Sequence, residues 1–357
     1  MEGAVVAFAL AAGGALGEAA GRVFVVAQPL KARASKVACK TRRGLNIIIL
    51  METLYITHPA CRLHEMGQWH PECPARLDAI NDQLLSSGLL DFLREVRAPQ
   101  AQRDDLLRVH TPQYLNYLQA NAPAQGYFEL DPDTLLNPHS LEAAQVAAGA
   151  GLAAVDAIMQ GQAATAFCAV RPPGHHARPG QAMGFCIYNN IAVAAAYALD
   201  KYALRRVAVI DFDVHHGNGT EEMFAGDERV LMCGFFQHPF YPGSGAPPAA
   251  SNMLNIPVQA YTGGDMLRQI ASDVWLPRLE AFRPEFVFIS AGFDAHREDD
   301  MGQLGMVEAD YAWITEQIVA LADTTAQGRI ASFLEGGYNL SALGRSVAAH
   351  IRALAKL

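Results

Sequence analysis

Charge is scarce in this chain. Asp, Glu, Lys and Arg make up 18% of its 357 residues, where about a quarter is usual. Hydrophobic residues supply 51%, so intrinsic disorder over the bulk of the chain is excluded. Also missing is any uninterrupted apolar run of about 18 residues, which argues against a transmembrane helix. The six cysteines (Cys39, Cys61, Cys73, Cys168, Cys186, Cys233) contain no CxxC pair. A disulfide scaffold and a structural zinc ribbon are thereby excluded, and a reducing, cytoplasmic setting is the default. Neither GxGxxG nor GxxxxGKS/T occurs, so no nucleotide phosphate loop is supported. A GxSxG nucleophile elbow is likewise absent. Beyond residue 51 there is no Ser/Gly linker, repeat or low-complexity tract, and residues 51–357 read as one domain.

What charge there is lies unevenly. Residues 1–50 hold seven basic side chains against Glu2 and Glu18, although the whole chain carries −9. The acidic body argues against direct nucleic-acid binding, whose phosphates need Lys and Arg. It suits a cationic substrate better. Residues 1–50 lack the basic start of a signal peptide and the Ser-rich, acid-poor pattern of a transit peptide. They read as an extension outside the fold, ahead of a first strand just after Met51.

Short β-branched or apolar runs at 53–57, 166–170, 206–211, 229–233, 252–258, 285–291 and 329–335 predict strands. Helical stretches at 74–87, 140–159, 184–202, 264–282, 307–323 and 340–355 lie among them. Such alternation implies an α/β fold with a parallel sheet covered on both faces. Four of the strands are each followed by histidine, carboxylate or phenol: Arg171 to His176, Asp211 to Asn218, Asp294, and Glu335 to Tyr338. The carboxyl edge of an open α/β sheet is where ligands bind.

Asp213 and His215 stand two apart on an extended segment, so both side chains leave one face. With Asp294 they make one imidazole and two carboxylates, a three-ligand set with room for water, as in catalytic zinc sites. A lone Asp-x-His is more often a hydrogen-bonded strand end; the company of His175, His176, Asp211 and His216 argues otherwise. Adjacent imidazoles such as His175 and His176, set by a Pro-Pro-Gly turn, can share one proton and act as base and acid. Asp211 and Asn218 are natural partners to fix their tautomers. Tyr338, after Gly336-Gly337, can offer its hydroxyl to a developing oxyanion, or simply pack. His58, His64, His110, His139 and His350 have no partner in sequence and are expected at the surface or at helix ends.

These residues fall in motifs that resemble the histone deacetylase superfamily: HPECPARL at 70–77, RPPGHHA at 171–177, GFCIYNN at 184–190, DFDVHHGNGT at 211–220, YPGSG at 241–245, SAGFDAH at 290–296 and EGGY at 335–338. The matches keep their order over nearly all of the chain after Met51. Asn218 makes the sequence look like the class II and bacterial deacetylase-like amidohydrolase branch. The resemblance implies an arginase/deacetylase fold, a single domain with a parallel eight-stranded sheet sandwiched by helices. It implies zinc on Asp213, His215 and Asp294, His176 as general base and acid, His175 as its electrostatic partner, and Tyr338 as carbonyl polariser. Gly184, Phe185 and Tyr241 would line an acyl-lysine tunnel, with Arg76 near its inner end. Met301 would fall where a polyamine-selective branch places glutamate. A structural potassium ion on Asp211, Asp213 and His215 is implied as well, although Gly234 replaces a serine whose hydroxyl many members offer.

The expected activity is zinc-dependent hydrolysis of the amide of acetyl-lysine, in protein or peptide, or of a similar acylated amine. An acetylpolyamine amidohydrolase is the enzymatic alternative, and a non-catalytic module for acylated ligands the other. No nucleic-acid or membrane partner is expected; self-association is left open.

Overall fold

A computed structural model describes residues 36–40, 46–50 and 52–357 of the chain. Eight strands form one sheet: β1 (Thr53–Thr57), β2 (Leu93–Arg97), β3 (Thr165–Cys168), β4 (Val207–Asp211), β5 (Val230–Gln237), β6 (Met253–Val258), β7 (Phe286–Ala291) and β8 (Ile330–Leu334). Their order is β6-β5-β4-β7-β8-β3-β1-β2, and every pairing is parallel. The chain runs outward from β4 to β6, then returns to insert β7 and β8 between β4 and β3. In a parallel sheet all carboxyl ends share one edge. The four strands read as delivering polar residues are therefore consecutive neighbours, β4-β7-β8-β3.

Hydrophobicity follows position. Every residue of β3, β4, β5, β7 and β8 is buried, as continuous apolar runs require when helices cover both faces. The edge strand β2 (Leu-Arg-Glu-Val-Arg) has no buried residue, and charge on an edge discourages further pairing. The same charge hid β2 from a reading based on apolar runs. The covering helices include α1 (Ala75–Ser86), α2 (Ser140–Met159), α3 (Asn190–Lys201), α4 (Glu308–Thr325) and α5 (Leu340–Leu354). Helix α2 is long and apolar enough to cross a bilayer, but it is a core helix, 67% buried against α3, β3 and β8. At Gly151 a Cβ would come within 2.8 Å of Phe333 on β8 and of Ala194 on α3, so glycine permits that approach.

Three expectations are corrected. The helix read over 184–202 begins at Asn190, with Asn189 capping Ala192 N–H at 3.0 Å. Gly184 (φ 55°) and Phe185 (φ 68°) are left-handed and cannot lead into it. The helix over 264–282 carries a π turn at Ala271–Trp275 beside Pro277, which lacks the N–H an α-helix would use. The third concerns histidines. His139 is exposed beside the start of α2, and His58, though buried, caps the short helix Pro59–Arg62 as expected of a helix end, accepting Ala60 N–H at 3.1 Å. His64, His110 and His350 are buried instead. His64 pairs with Ser140 at 2.8 Å. His110 takes the N–H of Asn189 at 3.0 Å. His350 sits between Thr315 and Ser332, at 2.7 and 2.8 Å. Partners distant in sequence bond to the rings of His64, His110 and His350, which is why the local sequence misplaced those three.

Burial pushes His350 down to about 3. A depressed imidazole leaves the folded state holding fewer protons than the unfolded one between about 3 and the ordinary 6.5. Its stabilising contribution is then complete above 6.5 and is lost as pH falls below it. His350→Gln should accordingly lie well below the parent in melting temperature at neutral pH, with the gap narrowing toward pH 4. A constant gap in thermal melts would mean that His350 titrates normally.

The reading of residues 1–50 as an extension lies mostly outside the described residues. Lys36–Lys40 and Asn46–Leu50 pair antiparallel with one another, and the eight-stranded sheet starts at Thr53.

Candidate metal-dependent hydrolytic site

The carboxyl ends of β4, β7, β8 and β3 meet at one buried cluster. Past β4, Asp213 and His215 follow Asp211; past β7 comes Asp294. One ligand atom from each of Asp213, His215 and Asp294 lies within 4.8 Å of the others. His215 Nδ1 is 3.1 Å from Asp213 Oδ1 and 3.2 Å from Asp294 Oδ2. Main-chain donors hold the carboxylates: Val214 N–H on Asp294 Oδ1 at 3.0 Å, and Gly336 N–H on Asp213 Oδ2 at 2.8 Å. The glycines are spatial necessities. A Cβ at Gly336 would stand 1.9 Å from Asp294 Oδ2, and one at Gly292 2.0 Å from Asp213 Oδ2.

Two buried carboxylates facing one imidazole leave an excess of negative charge. Burial and the charge of Asp213 push Asp294 up to about 7, and its Oδ2 has no hydrogen-bond partner among the described residues. Burial opposes the charge of Asp213 too, but the His175 and His215 imidazoles outweigh it and hold this carboxyl far below the usual range. An unpartnered buried oxygen beside an ionised carboxylate and an imidazole is a fit for a divalent cation.

The loop after β3 carries His175 and His176, whose ring centroids are 4.0 Å apart. Glu335 Oε2 accepts Gly174 N–H at 2.7 Å and His175 N–H at 3.1 Å, anchoring this loop to the end of β8. His175 Nδ1 lies 3.0 Å from Asp211 Oδ2. Burial disfavours a charge on His175, yet Asp213 and Asp211 overcome it and push the ring up to about 10. His176 Nδ1 lies 2.7 Å from Asn218 Oδ1, and Asn218 Nδ2 donates to Met183 Sδ at 3.3 Å. Burial, with His175 and His215 nearby, holds His176 well below its ordinary value. The surroundings thus favour charge on His175 and disfavour it on His176.

A cavity of about 250 Å³ opens over this cluster. His176, His215 and Tyr338 line it, together with the expected Gly184, Phe185, Tyr241 and Met301. Phe240 stacks on His215 with centroids 5.5 Å apart, and Phe185 meets Tyr338 edge-on at 5.8 Å. Tyr338 is half-buried; burial and the Asp294 carboxylate raise its phenol well above the ordinary value, so it keeps its proton and can donate. Arg76 enters differently from the expectation. It is buried behind Tyr338, its guanidinium 5.0 Å from the ring centroid, with Nε on Gly337 O at 2.6 Å.

The sequence reading missed Phe240 and Asp133 in the wall, and Glu335 as the anchor of the histidine loop; Asp300, next to Met301, lines the wall as well. Asp133 sits at the turn of a hairpin, Phe128–Asp131 with Thr134–Leu136, and Asp131-Pro132-Asp133 is a recognisable turn signal.

The chain is similar to known proteins over most of its length. The family model described as "Histone deacetylase domain" matches residues 70–354. A histone deacetylase-like amidohydrolase of Pseudomonas aeruginosa is 37% identical over 277 residues, covering 76% of this chain and 73% of that protein. A probable deacetylase of Archaeoglobus fulgidus is 35% identical over 298 residues, 81% of this chain and 82% of that one. Among solved structures, the HDA15 HD domain superposes with a TM-score of 0.80 at 34% identity, over 85% of this chain and 90% of that one.

Proposed function

This chain belongs to the histone deacetylase family, and we propose from that premise that it is a zinc-dependent deacylase acting on the side-chain amide of acyl-lysine. The observation that carries the reading is the buried Asp213–His215–Asp294 set at a cavity also lined by His176 and Tyr338. A divalent ion held by those three residues would supply Lewis-acid polarisation of an amide carbonyl and acidify a water. The protein's own groups account for the rest. His176, kept neutral and tied at Nδ1 to Asn218, leaves Nε2 to take a proton from the attacking water. His175, charged beside Asp211, stabilises the negative charge that develops. The Tyr338 hydroxyl donates to the carbonyl oxygen as it becomes an oxyanion. The histidine pair then returns a proton to the leaving amine. The structural potassium would be held around Asp211, Asp213 and His215. Gly234 offers no hydroxyl there. Asn255 Oδ1, without a hydrogen-bond partner among the described residues, lies 4.0 Å from where a Cβ of Gly234 would be. The free cysteines Cys61, Cys73, Cys168, Cys186 and Cys233 accord with a cytoplasmic setting.

Phe185, Phe240, Tyr241 and Met301 give the cavity apolar walls for the methylenes of a lysine side chain. Asp133 and Asp300 on the same cavity favour a second reading, in which the acylated amine carries another cation, as an acetylpolyamine does. A turnover panel of acetyl-lysine peptides, longer acyl-lysines and acetylspermidine on zinc-loaded protein separates the two. Acetyl-lysine peptides should be the better substrates, because Met301 brings no charge to the wall. Met301→Glu should move the ratio toward acetylspermidine by a few-fold, about 1 kcal/mol for a half-exposed charge pair. Preference of the parent protein for acetylspermidine by about tenfold or more would reverse the assignment, and no turnover of any member would leave a binding module.

A further inference from the structure

The cavity wall and the phenol share one buried carboxylate that the mechanism above does not use. Asp299 is 5% exposed. Its Oδ2 accepts the N–H of Tyr338 at 2.6 Å and that of Asn339 at 2.8 Å, while Oδ1 accepts the N–H of Met301 at 3.0 Å. The carbonyl of the same Gly337–Tyr338 peptide group accepts from Arg76 Nε at 2.6 Å, and Arg76 Nη2 reaches Glu335 O at 2.5 Å. One amide therefore has a buried guanidinium at its oxygen and a buried carboxylate at its N–H.

We propose that Asp299 is a positioning residue for Tyr338, locking the Gly337–Tyr338 peptide together with Arg76 and so fixing the direction of the phenol. This rests on the reading of Tyr338 as the donor to the substrate carbonyl. The lock has a local reason. Gly337 sits at φ 117° after another glycine, and glycine tolerates either orientation of the peptide that follows it. Turning that peptide over would point its oxygen at the Asp299 carboxylate and its N–H at the Arg76 guanidinium, so both interactions would become repulsive. The third bond, to Met301, places the cavity wall in register with the donor.

Asp299→Asn keeps the shape but puts an NH₂ opposite one of the three N–H groups. Zinc content and melting temperature should stay near the parent and KM within about twofold, while kcat falls about 10- to 100-fold, less than or equal to the loss of the donor itself. The decisive comparison is the double variant. Residues that act as a unit are non-additive, so Asp299→Asn placed on Tyr338→Phe should slow turnover no further than about twofold. A crystal structure of Asp299→Asn should show the 337–338 peptide turned or the Tyr338 ring displaced. Parental kcat, or losses that multiply in the double variant, would overturn the proposal. Should Asp299→Asn fail to fold, Asp299→Glu, which keeps the charge but shifts the oxygens, is put through the same cycle. Failure of both to fold would make Asp299 a residue of the fold alone and overturn the positioning role. Near-parental kcat in Tyr338→Phe by itself would instead refute the donor reading; the peptide orientation in the crystal would still report on the lock.

Discussion

Asp294→Ala should deprive the protein of its metal, with an affinity loss well beyond the ~10- to 100-fold typical of removing a group that merely supports a ligand. Asp294 is fully buried, and its Oδ2 has no hydrogen-bond partner among the described residues. The substitution removes a ligand atom and a charge together. It also relieves repulsion: burial and Asp213 raise Asp294 to about 7. A raised carboxyl means that the metal-free folded state holds more protons than the unfolded state between about pH 4 and 7. Its contribution to stability is therefore lost as pH climbs through that range. Zinc should reverse this by binding the deprotonated forms of Asp294 and of His215, where burial is outweighed by Asp213 and Asp294, which push the ring up to about 10. The apparent affinity of the parent should therefore rise with pH through and beyond neutrality. Two measurements check the argument. Metal analysis of purified Asp294→Ala should find the site largely empty, and zinc should raise the melting temperature of the parent but not of the variant. Full occupancy in the variant would remove Asp294 from the ligand set.

The ligands were legible because they follow strands that are themselves legible. β4 and β7 are nearly all apolar, and the polar residues at and just past their ends stand out against that background. His175 and His176 were readable for the same reason after β3. The supporting groups were not. Glu335 and Asp299 work through main-chain N–H groups 160, 161, 39 and 40 positions away in the chain, and a carboxylate that caps distant backbone has no local pattern. Edge and turn elements failed differently. β2, Leu-Arg-Glu-Val-Arg, is mostly charged and shows no alternation at its exposed edge, and the hairpin bearing Asp133 is too short for a periodic signal. Arg76 shows the limit of analogy. The motif located it near the reacting centre, but only the fold shows that it acts on the Gly337 carbonyl behind the phenol.

Tyr338→Phe should cut kcat by about 10²- to 10³-fold, the usual consequence of losing a single donor to a developing oxyanion. Metal content should not change, because the phenol is outside the Asp213–His215–Asp294 set. The fold should also hold: the Tyr338 contacts recorded for the main chain, to Asp299 at 2.6 Å and through Gly337 to Arg76, survive the change, and the phenylalanine ring can keep its edge-on contact with Phe185. The loss should fall on kcat with KM little altered, since an oxyanion forms only on the way to the transition state and a ground-state carbonyl gains far less from the same donor. The phenol keeps its proton well past neutrality because burial and the Asp294 carboxylate oppose ionisation. Over the range where the parent is active its donor is therefore constant, and the ratio of parent to variant kcat should be flat from pH 6 to 9. Steady-state kinetics on an acetyl-lysine peptide across that range test both points together. A variant within about threefold of the parent would make Tyr338 a packing residue. A ratio that collapses toward high pH would mean that its phenol ionises in the working range, against the burial seen here.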